Sequence, residues 1–211
     1  MEIADKIIHY LKETYQPDAV MIYGSFADNS ANEHSDFDAL VIANHDKTHD
    51  ASVIDGIILD VFIYPPDTFR TEYDPEEFVQ VGDGKIVLDK EGIAEQLQQR
   101  VRTYIERKPK KTADEIQQEI AWCEKMVLRT KRDDAEGYFR WHWVLTDSLE
   151  IYCDVIGSRY CGPKKTLRCM EQNDVEAFRL YAEALKEFDR GSLSEWVSYL
   201  KRISAASCMK R

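Results

Sequence analysis

Short runs of apolar residues in the first third of the chain predict a small β-sheet. Residues 2–15 place apolar side chains at helical spacing, whereas the runs at 19–23, 39–43 and 57–64 have the length of single strands. The last run is apolar at every position except Asp60, so we expect this strand to be covered on both faces of the sheet.

Polar and turn-forming residues separate these runs from the rest of the first half. Residues 44–51 are polar and predict a loop. Residues 79–88 predict a hairpin that turns at 82–84, where the sequence reads Gly-Asp-Gly. A helical pattern then extends from about residue 91 to residue 106.

The second half of the chain has helical periodicity. A basic segment with a proline at 107–111 is typical of a linker between two domains. The sequence therefore predicts an α+β protein with a small mixed sheet flanked by helices at 1–107 and an all-helical bundle at 112–211.

Two capping boxes mark the expected starts of helices in this bundle. Thr112 stands three residues before Glu115, and Ser192 stands three residues before Glu195, which is the spacing at which each side chain reaches the other's backbone N–H. The predicted helices are 112–130, a helix ending near 156, a helix at about 173–188 and a last helix from 192.

Charge differs between the two halves. Residues 1–107 carry 22 Asp and Glu against 9 Lys and Arg, a net charge of −13, whereas the whole chain has −11. An acidic surface repels phosphate backbones, so we expect no nucleic-acid polymer as a partner. The same surface suits Mg²⁺ and a cationic substrate, although acidity can also serve solubility alone.

The five cysteines all lie in the second half and form neither a CxxC pair nor a zinc-type spacing. We expect them to be reduced thiols. No segment has the pattern of a signal peptide or of a membrane span of about 18 apolar residues. These observations predict a cytoplasmic protein without membrane contact, either a monomer or a homodimer.

Three acidic residues and a Gly-Ser turn stand out as candidate chemistry. Gly24 and Ser25 end the first predicted strand, and Asp36 and Asp38 open the second one. Residues i and i+2 of an extended chain face the same side, so the two carboxylates repel unless a cation lies between them. Asp60 adds a third carboxylate in an apolar strand, where an ionised group is costly without a partner. Mg²⁺ with a nucleotide triphosphate would satisfy this set.

Less specific interpretations of the same residues stay open. Asp60 can cap a turn at a strand end or pair with a distant arginine. The Asp36-Phe37-Asp38 stretch can be a solvated turn, because such acidic pairs are common.

The order of these elements resembles the motif of the polymerase-beta-like nucleotidyltransferase superfamily. The resemblance rests on Gly24-Ser25, on Ser35-Asp36-Phe37-Asp38 and on Asp60, within residues 18–64. The spacing is similar to that of small bacterial members, including antibiotic (aminoglycoside and lincosamide) nucleotidyltransferases with a C-terminal helical domain. Those families usually have Arg and Gly where this chain has Asp28 and Asn29, which removes one basic contact to phosphate.

The resemblance implies a catalytic arrangement for these residues. Asp36 and Asp38 would bridge two Mg²⁺ ions, and Asp60 would bind the catalytic ion. Gly24, Ser25 and Ser35 would hold ATP or another nucleoside triphosphate as substrate. An acceptor hydroxyl would then attack the α-phosphorus, and pyrophosphate would leave.

One predicted helix of the second half carries an acidic and aromatic stripe. At helical spacing Asp147 and Glu150 share a face with Trp143. Glu150 is the candidate general base for the acceptor hydroxyl, with Asp147 as the alternative. The same stripe can equally be a solvated acidic face, and His142 beside it can be a packed histidine.

Basic residues of the second half are candidates for binding the β- and γ-phosphates. Lys164 and Lys165 follow Gly162-Pro163, and Arg129 and Arg132 lie near a helix end. Each of them can also be an ordinary surface or helix-end charge.

These patterns predict a Mg²⁺-dependent enzyme that moves a nucleoside monophosphate, AMP from ATP in the leading interpretation, to a hydroxyl of a small molecule such as an aminoglycoside-like antibiotic. One alternative is a protein adenylyltransferase of the minimal nucleotidyltransferase type. The other is a non-catalytic nucleotide-binding module.

Overall fold

The computed structural model describes residues 2–132 and 134–208, with the side chains of residues 207 and 208 left out of the description. The chain divides between Lys108 and Pro109 into two compact units, Met1–Lys108 and Pro109–Arg211. The first unit contains a mixed sheet with helices and the second contains helices, so the predicted α+β class is confirmed.

The first unit is built on a sheet whose strand order is β3-β5-β2-β1-β6, with β4 paired to β5. Strands β2 and β5 are parallel, and the other pairs are antiparallel. The strands are β1 (Ala19–Ile22), β2 (Phe37–Ile42), β3 (Thr48–Asp50), β4 (Val53–Ile54), β5 (Ile57–Tyr64) and β6 (Lys85–Asp89).

Helices cover the two faces of this sheet to different extents. Helix α1 (Ile3–Tyr15) buries Ile7 and Leu11 against one face, and α3 (Ile93–Arg107) packs with a kinked 3-10 segment, Pro75–Asp83, against the other. The unit also contains a short 3-10 helix, Gly24–Phe26, and a single-turn helix α2, Asp67–Arg70.

The prediction that β5 is covered on both faces is wrong. Leu59 and Val61 are buried under α1, but Ile58 is 58% exposed and the side chain of Asp60 is 41% exposed on the opposite face. The helices of that face cover the far end of β5, where Tyr64 packs, and leave its first half open. Asp60 therefore needs no buried partner to be tolerated where it is.

Two turn predictions are also wrong. The predicted hairpin at 79–88 is instead the 3-10 segment followed by β6. A two-residue hairpin occurs at Asp55 and Gly56, between β4 and β5, where φ is positive at both residues, as a type I′ turn requires. The predicted loop at 44–51 contains strand β3.

Strand β3 is anchored to α1 by Asp50, whose side chain is buried. Asp50 accepts hydrogen bonds from the Tyr15 hydroxyl at 2.9 Å and from the backbone N–H of Ser52 at 2.9 Å. Burial by itself would raise the pKa of this carboxyl, but the hydrogen bonds from Ser52 and Tyr15 outweigh it and hold the pKa below its usual value.

We expect Asp50→Asn to lower the free energy of unfolding by about 1 kcal/mol at neutral pH, because it removes a charge-assisted hydrogen bond. A lowered pKa in the folded state stabilises the fold above the unfolded value of about 3.9, and this stabilisation is lost as the pH falls through the folded value. Urea unfolding of both proteins from pH 7 to pH 3 should therefore show the difference shrinking below about pH 4. A difference that stays constant with pH would contradict the ionised assignment.

The second unit consists of five helices within the described residues. Thr112 and Glu115 form the predicted capping box, with Thr112 N–H donating to Glu115 Oε2 at 2.7 Å and Glu115 N–H donating to Thr112 Oγ1 at 3.2 Å. The helices are α4 (Ala113–Arg129), α5 (Ala135–Val155), α6 (Pro163–Asn173), α7 (Val175–Lys186) and α8 (Arg190–Cys208).

Trp196 lies at the centre of this unit's core. It is fully buried and donates from Nε1 to Ser148 Oγ at 2.9 Å. The capping box predicted at Ser192 is wrong, because α8 begins at Arg190 and Asp189 accepts from Ser192 N–H instead. Helix α6 was not among the predicted elements.

The cysteines in the described part of the chain form no disulfides. Cys123 and Cys153 are buried, and Cys161 and Cys169 are exposed, which confirms the predicted free thiols at these four positions. The side chain of Cys208 lies outside the described residues. None of the described helices has the length and apolar character needed to cross a membrane.

Candidate active site

Gly24 lies in close contact with Asp38. The chain leaves β1 and turns at Gly24 with φ of +66°, which glycine adopts without the steric cost that a side chain would bring. A Cβ added at Gly24 would overlap Asp38 Oδ2 and lie 3.0 Å from Asp38 Cγ. The carboxylate of Asp38 thus occupies the space that a side chain at position 24 would fill.

Asp38 and Asp60 lie side by side on neighbouring strands. They are direct partners in the parallel register of β2 and β5, so their side chains share one face of the sheet, on strands about 4.8 Å apart. Tyr23 lies near both: burial raises the pKa of its phenol well above the usual value, and the negative charges of Asp38 and Asp60 raise it further. The sheet therefore concentrates negative charge at this point.

Asp36 lies just before β2 and is exposed. Among the described residues there is no group of three or more His, Cys, Asp or Glu side chains placed to hold a metal ion. The structure brings Asp38 and Asp60 together next to Gly24, and ligation by all three carboxylates stays a prediction.

This pair of carboxylates fits the requirements of Mg²⁺ with a nucleotide. Mg²⁺ usually binds to one or two protein carboxylates and completes its octahedron with phosphate oxygens and water. Two adjacent carboxylates on a partly open sheet face, with a glycine beside them, match that donor set better than a closed cage of protein ligands would.

The loop between the Gly-Ser turn and β2 is held by its own polar residues. Ser35 is buried, and its Oγ accepts a hydrogen bond from the backbone N–H of Asn32 at 2.9 Å. Ser25 is partly exposed, and its carbonyl accepts from Ser30 N–H at 2.9 Å. Asn29 has φ of +60°, the left-handed conformation expected of an asparagine that replaces glycine.

His49 is a site residue that the sequence interpretation missed. Its Nε2 lies 2.7 Å from Asp60 Oδ1, and its ring stacks on Phe62 with centroids 4.6 Å apart. The sequence did not indicate a strand at this position. His49 lies in the polar stretch Thr48–Asp50, which forms a strand without the alternation of apolar and polar residues that strands usually have. The sequence interpretation considered a metal ion, a turn or a distant arginine as the partner of Asp60, and no histidine.

In the helical unit, Glu150 is exposed on α5 and lines a pocket of about 400 Å³. Acidic residues predominate in the lining of this pocket, and Lys111 is its one basic residue within the described part of the chain. Lys111 Nζ lies 2.6 Å from Glu119 Oε1 and 3.0 Å from Asp154 Oδ2. The residues lining the pocket are Lys111, Glu115, Gln118, Glu119, Trp122, Asp147, Glu150 and Ile151.

The remaining candidates of the helical unit have ordinary surroundings. Lys164 and Lys165 lie in the first turn of α6, and Lys164 is exposed. Arg132 is paired with Asp134, with Nη2 at 2.9 Å from Oδ2. His142 packs against Phe188, with ring centroids 5.4 Å apart.

Comparisons with known proteins bear on the first unit. Residues 5–79 match the family model described as "Polymerase beta, Nucleotidyltransferase", whereas no curated protein matches the chain. A solved structure of a nucleotidyltransferase-like protein from Exiguobacterium sibiricum 255-15 aligns over 97% of this chain and 74% of its own, at 12% identity and a TM-score of 0.37. The family match spans the turn after β1 that contains Gly24 and the strands β2 and β5, which carry Asp38 and Asp60. Residues 5–79 are therefore similar to the nucleotidyltransferase domain of the polymerase beta superfamily.

Proposed function

We propose that this protein transfers a nucleoside monophosphate from ATP, or from another nucleoside triphosphate, to a hydroxyl group and releases pyrophosphate. The observation that carries this proposal is the placement of Asp38 beside Asp60 and against Gly24. A nucleotidyltransferase domain of this superfamily supports the general reaction. The nucleotide, the metal and the acceptor are the specific parts of the proposal.

Asp38 and Asp60 would hold Mg²⁺, with Asp36 as a third ligand when substrate binds. Asp36 and Asp38 are separated by one residue, so an extended backbone directs both side chains to one side. When bound, Mg²⁺ supplies charge stabilisation at the α-phosphate and orients the attacking and leaving oxygens. The task of the three carboxylates is to fix the metal in place and balance its charge.

The turn after β1 would bind the triphosphate. Gly24 permits close approach of its backbone, and the Ser25 hydroxyl can donate a hydrogen bond to a phosphate oxygen. Ser35 supports this turn indirectly in the structure, because its Oγ accepts from Asn32 within the connecting loop. Lys164 and Lys165 are the candidate cations for the β- and γ-phosphates.

The pocket of the helical unit is the candidate acceptor site. Its acidic lining and the indole of Trp122, which contacts Trp143 at 5.0 Å between ring centroids, favour a cationic or sugar-like small molecule. Within the pocket, Glu119 already pairs with an ammonium group, that of Lys111, at 2.6 Å, which supports a preference for a cationic acceptor. Glu150 is the candidate general base, since it is exposed in the same pocket.

The test is transfer of label from ATP that is labelled at the α-phosphate, with Mg²⁺, to a panel of aminoglycosides and lincosamides. We expect labelled small molecule and free pyrophosphate, no transfer from ATP labelled at the γ-phosphate, and no transfer after chelation of the metal. Label that instead appears on protein from a cell lysate would support the protein adenylyltransferase alternative. Transfer that persists at full rate in Asp60→Asn would refute the site assignment.

A further inference from the structure

His49 and Asp60 are in direct contact through a short hydrogen bond. In the antiparallel pairing of β3 with β5, His49 stands opposite Phe62, so Asp60 is its diagonal neighbour on the same sheet face. The 2.7 Å distance from His49 Nε2 to Asp60 Oδ1 is that of a charge-assisted hydrogen bond. A carboxylate only accepts, so the imidazole donates its Nε2 hydrogen, and the neutral tautomer protonated on Nε2 is sufficient.

The imidazole of His49 has a second contact besides Asp60. Its ring stacks on Phe62 with an interplanar angle of 29°. On the opposite face of β3, the adjacent residue Asp50 is buried and hydrogen-bonded to Tyr15. The stacking on Phe62 and the anchoring of the adjacent Asp50 therefore restrict the direction of the Nε2–H group.

The hydrogen bond also distinguishes the two oxygens of the Asp60 carboxylate. His49 occupies Oδ1, and a carboxylate with one oxygen held in this way keeps its other oxygen, Oδ2, for a second ligand. Carboxylates that bind metals in proteins are commonly oriented by such outer hydrogen bonds, whose loss lowers metal affinity or activity by about 10- to 100-fold.

We propose that His49 is a positioning residue that orients the Asp60 carboxylate for a divalent cation shared with Asp38. This inference rests on the proposed function, because it assumes that Asp60 is a metal ligand. His49 itself touches neither substrate nor metal in this arrangement. Its contribution is the fixed orientation of Asp60, so the effect of its loss should appear in metal affinity before any reaction takes place.

Two substitutions separate the hydrogen bond from the ring. His49→Phe keeps an aromatic ring for stacking on Phe62 but has no donor, whereas His49→Gln places an amide N–H near the position of Nε2 without the ring. Binding of Mn²⁺ to the full chain, in the absence of nucleotide, can be followed by electron paramagnetic resonance. We expect the dissociation constant to rise by about 10-fold or more in His49→Phe and to return most of the way to the wild-type value in His49→Gln.

Asp60→Asn distinguishes failure of this inference from failure of the proposed function. If Asp60→Asn weakens Mn²⁺ binding but His49→Phe binds as tightly as the wild type or more tightly, the positioning role is refuted and the metal site stands. If Asp60→Asn leaves Mn²⁺ binding unchanged, the metal assignment of the proposed function is refuted together with the inference. Equal weakening in His49→Phe and His49→Gln would also overturn it, because restoring an N–H donor would then have no effect on metal binding. Thermal unfolding of each variant confirms that a folded protein is compared.

Discussion

Asp38→Asn is expected to reduce the rate of nucleotidyl transfer by about three orders of magnitude. The substitution preserves the size of the side chain beside Gly24 but removes the negative charge that would bind the metal. Metal-assisted charge stabilisation contributes several kcal/mol to such transition states, and each 1.36 kcal/mol is tenfold in rate. The measurement is single-turnover transfer of the α-phosphate label at saturating ATP and Mg²⁺.

Two further Asn substitutions make this experiment specific. Asp46→Asn changes the net charge equally, at an exposed position that follows the other end of β2, and should keep the wild-type rate. Asp36→Asn reports whether the exposed carboxylate before β2 joins the pair when substrate binds, in which case the loss should approach that of Asp38→Asn. A rate in Asp38→Asn within about tenfold of the wild type would be incompatible with a metal bound at this position.

Gly24→Ala is expected to lower activity by about 100-fold or more while the protein remains folded. The added methyl group would overlap Asp38 Oδ2, so the carboxylate has to move. A displacement of about 1 Å in a catalytic group is enough for a loss of this size. The positive φ of 66° adds a stability cost of about 1–2 kcal/mol for any residue with a Cβ.

Gly56→Ala is the matched control for this cost. Gly56 also has a positive φ, +88°, but a Cβ there would meet no atom within 4 Å. The Gly56→Ala variant should therefore lose about the same free energy of unfolding as Gly24→Ala and should retain activity. Similar losses of activity in both variants would show that strain, and not the contact with Asp38, is responsible.

The strands around the candidate site could be predicted from the sequence, because each of them depends on a local pattern of apolar and turn-forming residues. The strand that precedes Gly24 and the strands that carry Asp38 and Asp60 are short apolar runs bounded by turn residues, and these signals act within a few residues. The capping box at Thr112 was predictable for the same reason, since both of its hydrogen bonds join residues three apart.

The errors arose where two signals competed or where a contact joined distant segments. Gly82-Asp83-Gly84 suggested a hairpin, but Val81 and Gly82 are buried against α3 and the segment winds into 3-10 turns. The Asp55-Gly56 pair is the stronger hairpin signal, because both residues tolerate positive φ, and the structure uses it.

The environment of Asp60 illustrates what the sequence alone could not provide. Its strand is continuously apolar, which suggested two covered faces, but coverage depends on where α3 and the 3-10 segment pack, and they reach only one end of that face. The partner His49 is brought to Asp60 by the pairing of β3 with β5, which no periodicity predicts in a polar three-residue strand.

The short length of β3 has a consequence for how the candidate site responds to heat and denaturant. A three-residue strand at the border of a sheet separates from its neighbour at a lower free energy than the interior strands do. Fraying of β3 would withdraw the imidazole from Asp60 while β1, β2 and β5 stay assembled. Inactivation would then precede global melting, and the temperature at which function fails would be set by a small local opening and not by the stability of the whole sheet.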